Sequence, residues 1–146
     1  MNNKFMKIRV KSLSGNAKLP SFAHGTDAGA DLFSAENLKL EPGKRALVST
    51  GIALEIPEGF AGLIWDKSGI ASKSGISTMA GVIDSGYRGE IKVLLVNLSD
   101  TEYKIEEGDK IAQILFQKIE HPDFEEVQEL SKADRGEKGF GSTGRK

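Results

Sequence analysis

The segment ALVSTGIALEIPEGFAGLIWD, residues 46–66, contains two apolar runs separated by a Pro-Glu-Gly sequence at 57–59. Both runs are short and rich in Val, Ile and Leu, a composition that is typical of β-strands. Proline and glycine between the runs favour a reversal of the chain. The segment therefore predicts two strands, Ala46–Ile56 and Ala61–Asp66, and indicates an all-β protein.

The same pattern continues on both sides of this segment. The chain contains 17 glycines, and many of them lie between short apolar runs, which favours turns over long helices. Further strands are predicted at Lys7–Leu13, Ala30–Ser34, Leu38–Leu40, Glu90–Leu98 and Ile111–Ile119. Strands at this spacing indicate one compact barrel or sandwich.

Two segments have a helical character. Ser68–Lys73 combines small residues with a hydroxyl at Ser68 that can cap a first helical turn. In the segment 123–133, Phe124, Val127 and Leu130 recur every three residues, and this periodicity alone predicts a helix.

The composition excludes several classes of site. The chain has 146 residues and no cysteine, which rules out disulfides, thiolate zinc sites, iron–sulfur clusters and a cysteine nucleophile. With only His24 and His121, a histidine-rich metal cage or a Ser-His-Asp triad is disfavoured. A bound metal is therefore expected on oxygen ligands.

Charge and hydropathy limit the partners. Lys and Arg number 20 against 21 Asp and Glu, so no broad basic field is available and no nucleic acid partner is expected. The N-terminus lacks the apolar run of a signal peptide, and no apolar stretch approaches membrane-spanning length. We expect a soluble, cytoplasmic protein with no membrane partner.

The C-terminus differs from the rest of the chain. From Asp134 onward it consists mostly of glycine and charged residues, with Phe140 as its only aromatic residue, so we divide the chain into a β domain at 1–133 and a flexible tail at 134–146. Residues 139–144 match the GxGxxG pattern, but no strand leads into them, which argues against a dinucleotide fold. The glycine amides, hydroxyls and basic side chains suit a phosphorylated ligand, and a frayed terminus is the alternative.

Shorter segments also carry polar groups that suit chemistry. Residues 84–90 place a carboxylate near an aromatic ring, and residues 66–69 combine a cation, a hydroxyl and a glycine, which favours anion binding. Each segment taken alone is equally compatible with an ordinary turn or solvated loop. Residues 27–32 and 108–113 are weaker signals still.

Taken in order, five of these segments resemble the five motifs of the trimeric dUTPases. Ala28–Leu32 resembles the first motif, Lys67–Ala71 the second and Gly81–Glu90 the third. Gly108–Gln113 resembles the fourth and Arg135–Gly144 the fifth. Because the motifs occur in the family's order and at its spacing, chance is a poor explanation.

The resemblance implies a jelly-roll-like β-barrel with a flexible glycine-rich tail, assembled as a homotrimer whose active sites are shared between subunits. It implies a dUTP diphosphatase that hydrolyses dUTP to dUMP and pyrophosphate, limits uracil incorporation into DNA and supplies dUMP for thymidylate synthesis. In the family, the stretch before the fifth motif is an extended arm that reaches a neighbouring subunit. We therefore interpret Glu125–Glu129 as a strand, against the helical periodicity.

The resemblance also implies roles for individual residues. Asp84 corresponds to the general base that activates a water aimed at the α-phosphorus. Asp31 corresponds to an acid that contacts Mg²⁺ through metal-bound water, since Mg²⁺ usually keeps several waters and binds substrate phosphates. The expected phosphate ligands are Lys67, Ser68, Gly69, Gln113 and Arg135.

Uracil recognition is implied for the hairpin Thr78–Ile83, which includes Gly81 and ends at Ile83. Tyr87 is expected to lie against the deoxyribose and to leave no room for a 2′-hydroxyl. In the tail, Phe140 is expected to stack on uracil, and Gly141, Ser142 and Thr143 to close over the phosphates.

The chain departs from the family pattern at three positions. Lys67 replaces a common arginine, Asp66 a common proline and Gly86 a common acid, which affects local geometry rather than the class of reaction. Two other classes of protein are alternatives to a dUTPase. The related dCTP deaminases need a catalytic glutamate that the strand after Glu90 lacks, and a non-catalytic nucleotide sensor would not need Asp84 and Phe140.

Overall fold

The structure of the protein is a computed structural model that describes residues 6–139. Within that range the chain forms ten strands and one short helix. In chain order these are β1 (Arg9–Ser12), β2 (Ala30–Phe33), β3 (Leu38–Leu40), β4 (Arg45–Glu55), β5 (Phe60–Trp65), α1 (Ser68–Ser74), β6 (Ile76–Met79), β7 (Val82–Ile83), β8 (Glu90–Asn97), β9 (Tyr103–Ile105) and β10 (Lys110–Lys118).

The strands form two four-stranded antiparallel sheets and one small pair. One sheet has the order β1-β4-β8-β6 and the other the order β2-β10-β5-β7, while β3 pairs with β9. Apolar side chains from both sheets meet in one buried core, which includes Leu32, Val48, Ile52, Leu54, Ile64, Ile91, Val93, Leu95 and Ile114. This arrangement confirms the predicted all-β, jelly-roll-like fold.

Strand β8 shows how the sequence specifies the core. Ile91, Val93 and Leu95 alternate with less buried residues, as expected when successive side chains point to opposite faces of a sheet. Burial of three such side chains contributes about 1.5–3 kcal/mol each before the cost of ordering the chain is subtracted. The alternation therefore fixes which face of β8 is packed inward.

The strands predicted from sequence lie within a residue or two of those observed, and β9 was not predicted. The helix predicted at Ser68–Lys73 is present, but its N-cap is Lys67 and no side chain caps the first turn, so the expected capping by the Ser68 hydroxyl is wrong. Gly75 ends the helix in the left-handed conformation, with φ of 66°.

The segment 123–133 contains neither the helix that its periodicity suggests nor the strand expected at Glu125–Glu129. Every residue from 120 to 138 is exposed, so this arm packs on nothing within its own chain. A strand requires a hydrogen-bonded neighbour, and the single chain supplies none at this arm.

The hairpin at 76–83 is divided between the two sheets. Strand β6 is the edge of one sheet, where it pairs with β8, and β7 is the edge of the other, where it pairs with β5. Since β6 and β7 pair with different partners, the hairpin opens a gap between two sheet edges. In residues 6–139, no helix is both long and apolar enough to cross a membrane.

Candidate active site

The open hairpin lies against β5 through a close backbone contact. Gly81 has φ of 109°, and a Cβ at this position would lie 3.0 Å from the carbonyl oxygen of Ile64. The same two residues are joined by a hydrogen bond in which Ile64 N donates to Gly81 O at 2.8 Å. Both the backbone angle and the contact require glycine at residue 81, which explains its position in the hairpin.

The side chain of Asp66 ties the hairpin to the end of β5. Its Oδ1 accepts hydrogen bonds from the amide and the hydroxyl of Thr78, at 2.5 and 2.6 Å, and its Oδ2 accepts one from the hydroxyl of Ser77 at 2.8 Å. Burial would raise the pKa of Asp66, but these donors outweigh it and hold the pKa below the usual 3.8. Asp66 is therefore ionised at neutral pH.

Two cavities lie side by side along the hairpin. The first has a volume of about 380 Å³ and is lined by Asp66, Thr78, Gly81 and Val82, among others. The second has a volume of about 300 Å³ and is lined by Val82, Asp84 and Tyr87, among others. Val82 lines both, so the two cavities adjoin at this residue.

A tight turn presents Asp84 and Tyr87. The amide of Tyr87 donates to the carbonyl of Asp84 at 3.1 Å, which closes a turn around Ser85 and Gly86. The Tyr87 hydroxyl donates to the carbonyl of Glu90 at 3.0 Å and so fixes the ring beside the second cavity. The carboxyl-bearing residue Asp84 is exposed at the mouth of this cavity.

A second cluster lies on the sheet formed by β2, β10, β5 and β7. Gln113 of β10 pairs with Asp31 of β2 on one side and with Trp65 of β5 on the other, so the loop that leaves β5 emerges beside Asp31. Lys67 in that loop forms an ion pair with Asp31 Oδ1. The Nζ of Lys110 lies 2.7 Å from Asp31 Oδ2.

The two lysines compensate a buried carboxylate. The side chain of Asp31 is only 4% exposed, and burial of an unpaired charge would be costly. Burial would raise the pKa of Asp31, but hydrogen bonds and charge from Lys110 and Lys67 outweigh it and hold the pKa below 3.8. The cluster is thus a buried anion between two cations whose side chains are partly exposed.

Gln113 connects this cluster to the hairpin. Its Nε2 donates to the backbone carbonyl of Asp66 at 2.8 Å, which orients the amide toward the loop that carries Lys67. The side chain of Gln113 lies directly over Gly29, where an added Cβ would be 3.0 Å from Gln113 Cβ and closer still to its amide group. Glycine at residue 29 therefore leaves the space that Gln113 occupies.

The structure brings some of the expected site residues together. Asp31, Lys67 and Gln113 share one cluster, with Ser68 and Gly69 at the start of α1 beside them. Thr78, Gly81, Ile83, Asp84 and Tyr87 share the hairpin and the following turn. Arg135 is exposed at the start of the tail, where its Nε donates to the carbonyl of Lys138, and no hydrogen bond or ion pair among residues 6–139 joins it to either cluster. Phe140, Gly141, Ser142 and Thr143 lie outside the described residues.

Sequence reasoning gave no role to two members of these clusters. Lys110 was inside the fourth motif-like segment but was not singled out, and only the pairing of β10 with β2 places it beside Asp31. Asp66 was noted only as a departure from a common proline. Its contact with Thr78, twelve residues further along, depends on how β5 and the hairpin pack.

An apolar groove is lined by a set of residues different from those of the two clusters. It has a volume of about 360 Å³ and is lined by Met6, Ile8, Val10, Leu19, Pro20, Phe22, Ala30, Leu54 and Phe116. Strand β1, which contributes Val10, is the edge of its sheet. The exposed arm carries the matching apolar side chains Phe124 and Leu130, which are 94% and 87% exposed.

Comparisons with known proteins agree on one family. The dUTPase family model matches residues 15–144. The deoxyuridine 5′-triphosphate nucleotidohydrolase of Clostridium tetani is 46% identical over 94% of this chain and 97% of its own length. The enzyme of the same name from Corynebacterium diphtheriae is 51% identical over 94% of this chain and 92% of its own length.

Solved structures give the same result. The dUTPase of Staphylococcus bacteriophage 80alpha with dUpNHpp has a TM-score of 0.89 at 37% identity and covers 94% of this chain and 98% of its own. A mutant dUTPase from phage phi11 of S. aureus, described with a structural Mg(II) ion, has a TM-score of 0.82 at 33% identity, over 87% of this chain and 100% of its own.

Proposed function

Because the chain belongs to the dUTPase family, we propose that its two polar clusters are complementary parts of a site that binds and cleaves dUTP. The protein is a dUTP diphosphatase, which hydrolyses dUTP to dUMP and pyrophosphate. The assignment of individual residues, the metal and the assembly are our proposals. The cytoplasmic location expected from the sequence also stays a prediction.

The observation that carries the assignment is the pair of adjoining cavities along the hairpin. Their volumes, about 380 and 300 Å³, are of the size that holds small ligands. We assign the first, between the two sheet edges, to the uracil ring and the second to the deoxyribose and the α-phosphate. This order places the base against Thr78 and Gly81 and the reacting phosphate near Asp84.

Asp84 is the proposed general base. Its exposed position at the mouth of the second cavity lets it accept a proton from a water molecule directed at the α-phosphorus. Attack by that water breaks the bond between the α-phosphorus and the bridging oxygen, and pyrophosphate leaves. Tyr87 lines the same cavity and its hydroxyl is bound to the carbonyl of Glu90, which supports its proposed role in rejecting the 2′-hydroxyl of ribonucleotides.

The Asp31 cluster is the proposed phosphate site. Lys67 is held by Asp31 in the single chain, and we propose that the triphosphate competes for this ammonium group when it binds. Ser68 and Gly69, at the start of α1, and Gln113 of β10 supply further donors. In this scheme Asp31 places the cation before the substrate arrives, which reduces the reorganisation that accompanies catalysis.

The residues fit a Mg²⁺ ion that is carried mainly by the substrate. Within residues 6–139 no group of three or more His, Asp or Glu side chains could enclose a metal ion. Asp31 is nevertheless an ionised carboxylate beside the proposed phosphate site, and one carboxylate acting through water is enough for an ion that phosphates already bind. When bound, Mg²⁺ would neutralise charge on the phosphate oxygens.

We also propose that the active form is a homotrimer. The exposed arm at 120–138 and the unfilled apolar groove are complementary, because Phe124 and Leu130 would be covered if the arm of one subunit lay in the groove of another. Such an exchange would carry Arg135 and the tail with Phe140, Gly141, Ser142 and Thr143 to a neighbouring site. There the tail would close over the base and the phosphates.

The direct test measures pyrophosphate release from dUTP, with dCTP, dTTP and UTP in parallel, in Mg²⁺ and after chelation. We expect fast release from dUTP alone and a large loss of rate after chelation. Ammonia release from dCTP would instead indicate a deaminase, and binding of dUTP without pyrophosphate would indicate a sensor. Either result would overturn the assignment.

A further inference from the structure

Asp66 occupies a position at the base cavity that the proposed mechanism leaves unused. It lies at the end of β5, lines the cavity assigned to uracil, and directs its carboxylate at the hairpin rather than at solvent. Its three donors all come from two consecutive residues of β6, Ser77 and Thr78. A carboxylate so placed controls the hydrogen-bonding capacity of that strand edge.

The contacts divide between the two carboxylate oxygens. Both donors of Thr78, its amide and its hydroxyl, are bound to Oδ1, whereas Ser77 alone is bound to Oδ2. A threonine hydroxyl has one donor and two acceptor lone pairs. Because the Thr78 hydroxyl donates its hydrogen bond to Asp66, Thr78 can offer the cavity only hydrogen-bond acceptors.

The outer edge of the strand at Thr78 is also accessible to a ligand. Thr78 belongs to β6, an edge strand, and faces Leu95 of β8 on its inner side only. On the outer side β7 has moved to the other sheet, so no strand pairs there. A base that enters the gap therefore meets an edge at which Thr78 accepts hydrogen bonds and cannot donate them.

Such an edge discriminates between pyrimidines. Uracil and thymine carry a hydrogen on ring nitrogen N3, whereas cytosine carries a lone pair there. An acceptor-only partner forms a hydrogen bond with N3–H and leaves two lone pairs facing each other when cytosine binds. A hydroxyl that could rotate would accept from one base and donate to the other, and would lose this selectivity.

We propose that Asp66 is a positioning residue for base selection, which fixes Thr78 as an acceptor opposite N3 of the pyrimidine and so rejects cytosine. This inference rests on the proposed placement of the base in the first cavity. It assigns to Asp66 an effect on which base binds, through Thr78, and no contact with the reacting phosphate. The depressed pKa of Asp66 agrees with this role, because the carboxylate stays an acceptor throughout the neutral range.

The test compares three nucleotides in the purified full-length enzyme. KM and kcat are measured for dUTP, and dCTP and dTTP are used as competitive inhibitors so that their Ki values are obtained even without turnover. In Asp66→Ala both acceptor oxygens are lost and the Thr78 hydroxyl becomes free to donate, so we expect Ki for dCTP, relative to KM for dUTP, to fall about 10–100-fold. Asp66→Asn is the matched control, because its amide oxygen can still accept from both donors of Thr78 while its amide nitrogen donates to the Ser77 hydroxyl. We expect kcat for dUTP to change less than about threefold.

Thymine is the internal control, because its N3–H edge is the same as that of uracil. The ratio of Ki for dTTP to KM for dUTP should stay within about twofold of wild type in Asp66→Ala. A general loosening of the hairpin would instead admit dTTP and dCTP alike. Equal changes for both inhibitors would therefore overturn the proposal.

Three further variants make the test independent of how well Asp66→Ala folds. Thr78→Val removes the hydroxyl with little change of shape and should weaken rejection of dCTP, whereas Thr78→Ser should keep it. Ser77→Ala removes the donor to Oδ2 only and should leave the dCTP ratio within about twofold of wild type. In the double variant Asp66→Ala/Thr78→Val the ratio should fall no further than in the single variant that has the lower ratio.

The proposed function and the role of Asp66 can be tested separately. If the wild-type enzyme releases no pyrophosphate from dUTP, the proposed function fails and takes the inference with it. If the wild type is active and both Asp66→Ala and Thr78→Val reject dCTP as strongly as it does, the site stands and only the role of Asp66 is overturned.

Discussion

At the scale of single residues, the three carboxylates of the proposed site have different surroundings. Asp84 is exposed at the end of a turn and lines a cavity, whereas Asp31 is buried between two lysines and Asp66 is bound to three donors. The latter two carboxylates are therefore committed to holding other side chains in place. Asp84 is the acid whose surroundings best suit a proton-transfer role.

This contrast leads to a prediction for Asp84→Asn. The amide keeps the size of the carboxyl group but cannot accept a proton, so we expect kcat for dUTP to fall by about 10²–10⁴-fold while KM changes little. Steady-state pyrophosphate release measures both constants. Asp100→Asn, in the exposed loop between β8 and β9, is the matched control and should behave as wild type. Near-normal turnover of Asp84→Asn would remove Asp84 from the role of base.

A second prediction concerns the space over Gly29. A methyl group there would collide with Gln113, whose side chain would have to rotate and lose its hydrogen bond to the Asp66 carbonyl. We expect Gly29→Ala to lower the free energy of unfolding by about 1–3 kcal/mol, as overpacking usually does, and to raise KM for dUTP. Urea unfolding and steady-state kinetics measure the two effects.

Gly25→Ala is the control for that substitution, because nothing lies within 4 Å of a Cβ at residue 25. It should leave KM unchanged and alter the free energy of unfolding by no more than about 1 kcal/mol, in either direction. If the two alanine variants were equally stable and equally active, Gln113 would not depend on the space at residue 29.

At the scale of elements, the sequence was most informative where burial alternates along a strand. Leu38–Leu40 was predicted to the residue, and the predicted Glu90–Leu98 differs from β8 by one residue. Strand β9, the partner of Leu38–Leu40, has the same pattern of two apolar residues around a lysine and was missed, so a three-residue run does not by itself identify a strand. The arm has a clear periodicity, but its residues are exposed in the single chain, and so the periodicity gave the wrong structure.

The site was less predictable than the fold, because its key contacts join residues that are distant in sequence. Asp31 meets Lys110 only because β10 lies between β2 and β5, and the resemblance identified the segments without giving this pairing. In the sequence, Asp66 was singled out as a departure from a common proline. Its hydrogen bonds to Ser77 and Thr78 follow from the approach of the open hairpin to β5.

The carboxylates that join elements also predict how stability depends on pH. The pKa values of Asp31 and Asp66 lie below 3.8 in the folded protein, so the unfolded chain takes up protons more readily than the folded one. Their contribution is complete above the unfolded pKa and is lost as the pH falls through the folded pKa. We therefore expect the free energy of unfolding to decrease once the pH is lowered below about 4–5.

Urea unfolding at a series of pH values measures this decrease. The slope should be shallower in Asp31→Asn and in Asp66→Asn than in wild type, because each variant lacks one of the groups whose protonation favours unfolding. Each variant is also expected to be less stable than wild type at neutral pH, which is a separate effect. Parallel slopes in all three proteins would show that neither carboxylate links folding to acid.

At the scale of the whole molecule, the single chain is incomplete in two related ways. It leaves Phe124 and Leu130 almost fully exposed on the arm, and it leaves an apolar groove beside the edge strand β1 unfilled. It also leaves Arg135 exposed, with its Nε bound to the carbonyl of Lys138 and not to a residue of the proposed site. Exchange of the arm between subunits would resolve both features, and it would make catalysis depend on assembly.

If subunits exchange their arms, changes in the arm should affect both assembly and activity, whereas loss of the tail should affect activity alone. Phe124→Ser together with Leu130→Ser should shift the trimer to smaller species in sedimentation and lower activity, because both apolar anchors are lost. Deletion of 134–146 keeps those anchors, so it should preserve the trimer and abolish most activity. Leu98→Ser alters an exposed leucine outside the arm and the groove and should change neither property. A trimer that survives loss of both anchors, or a fully active tail deletion, would contradict the exchange.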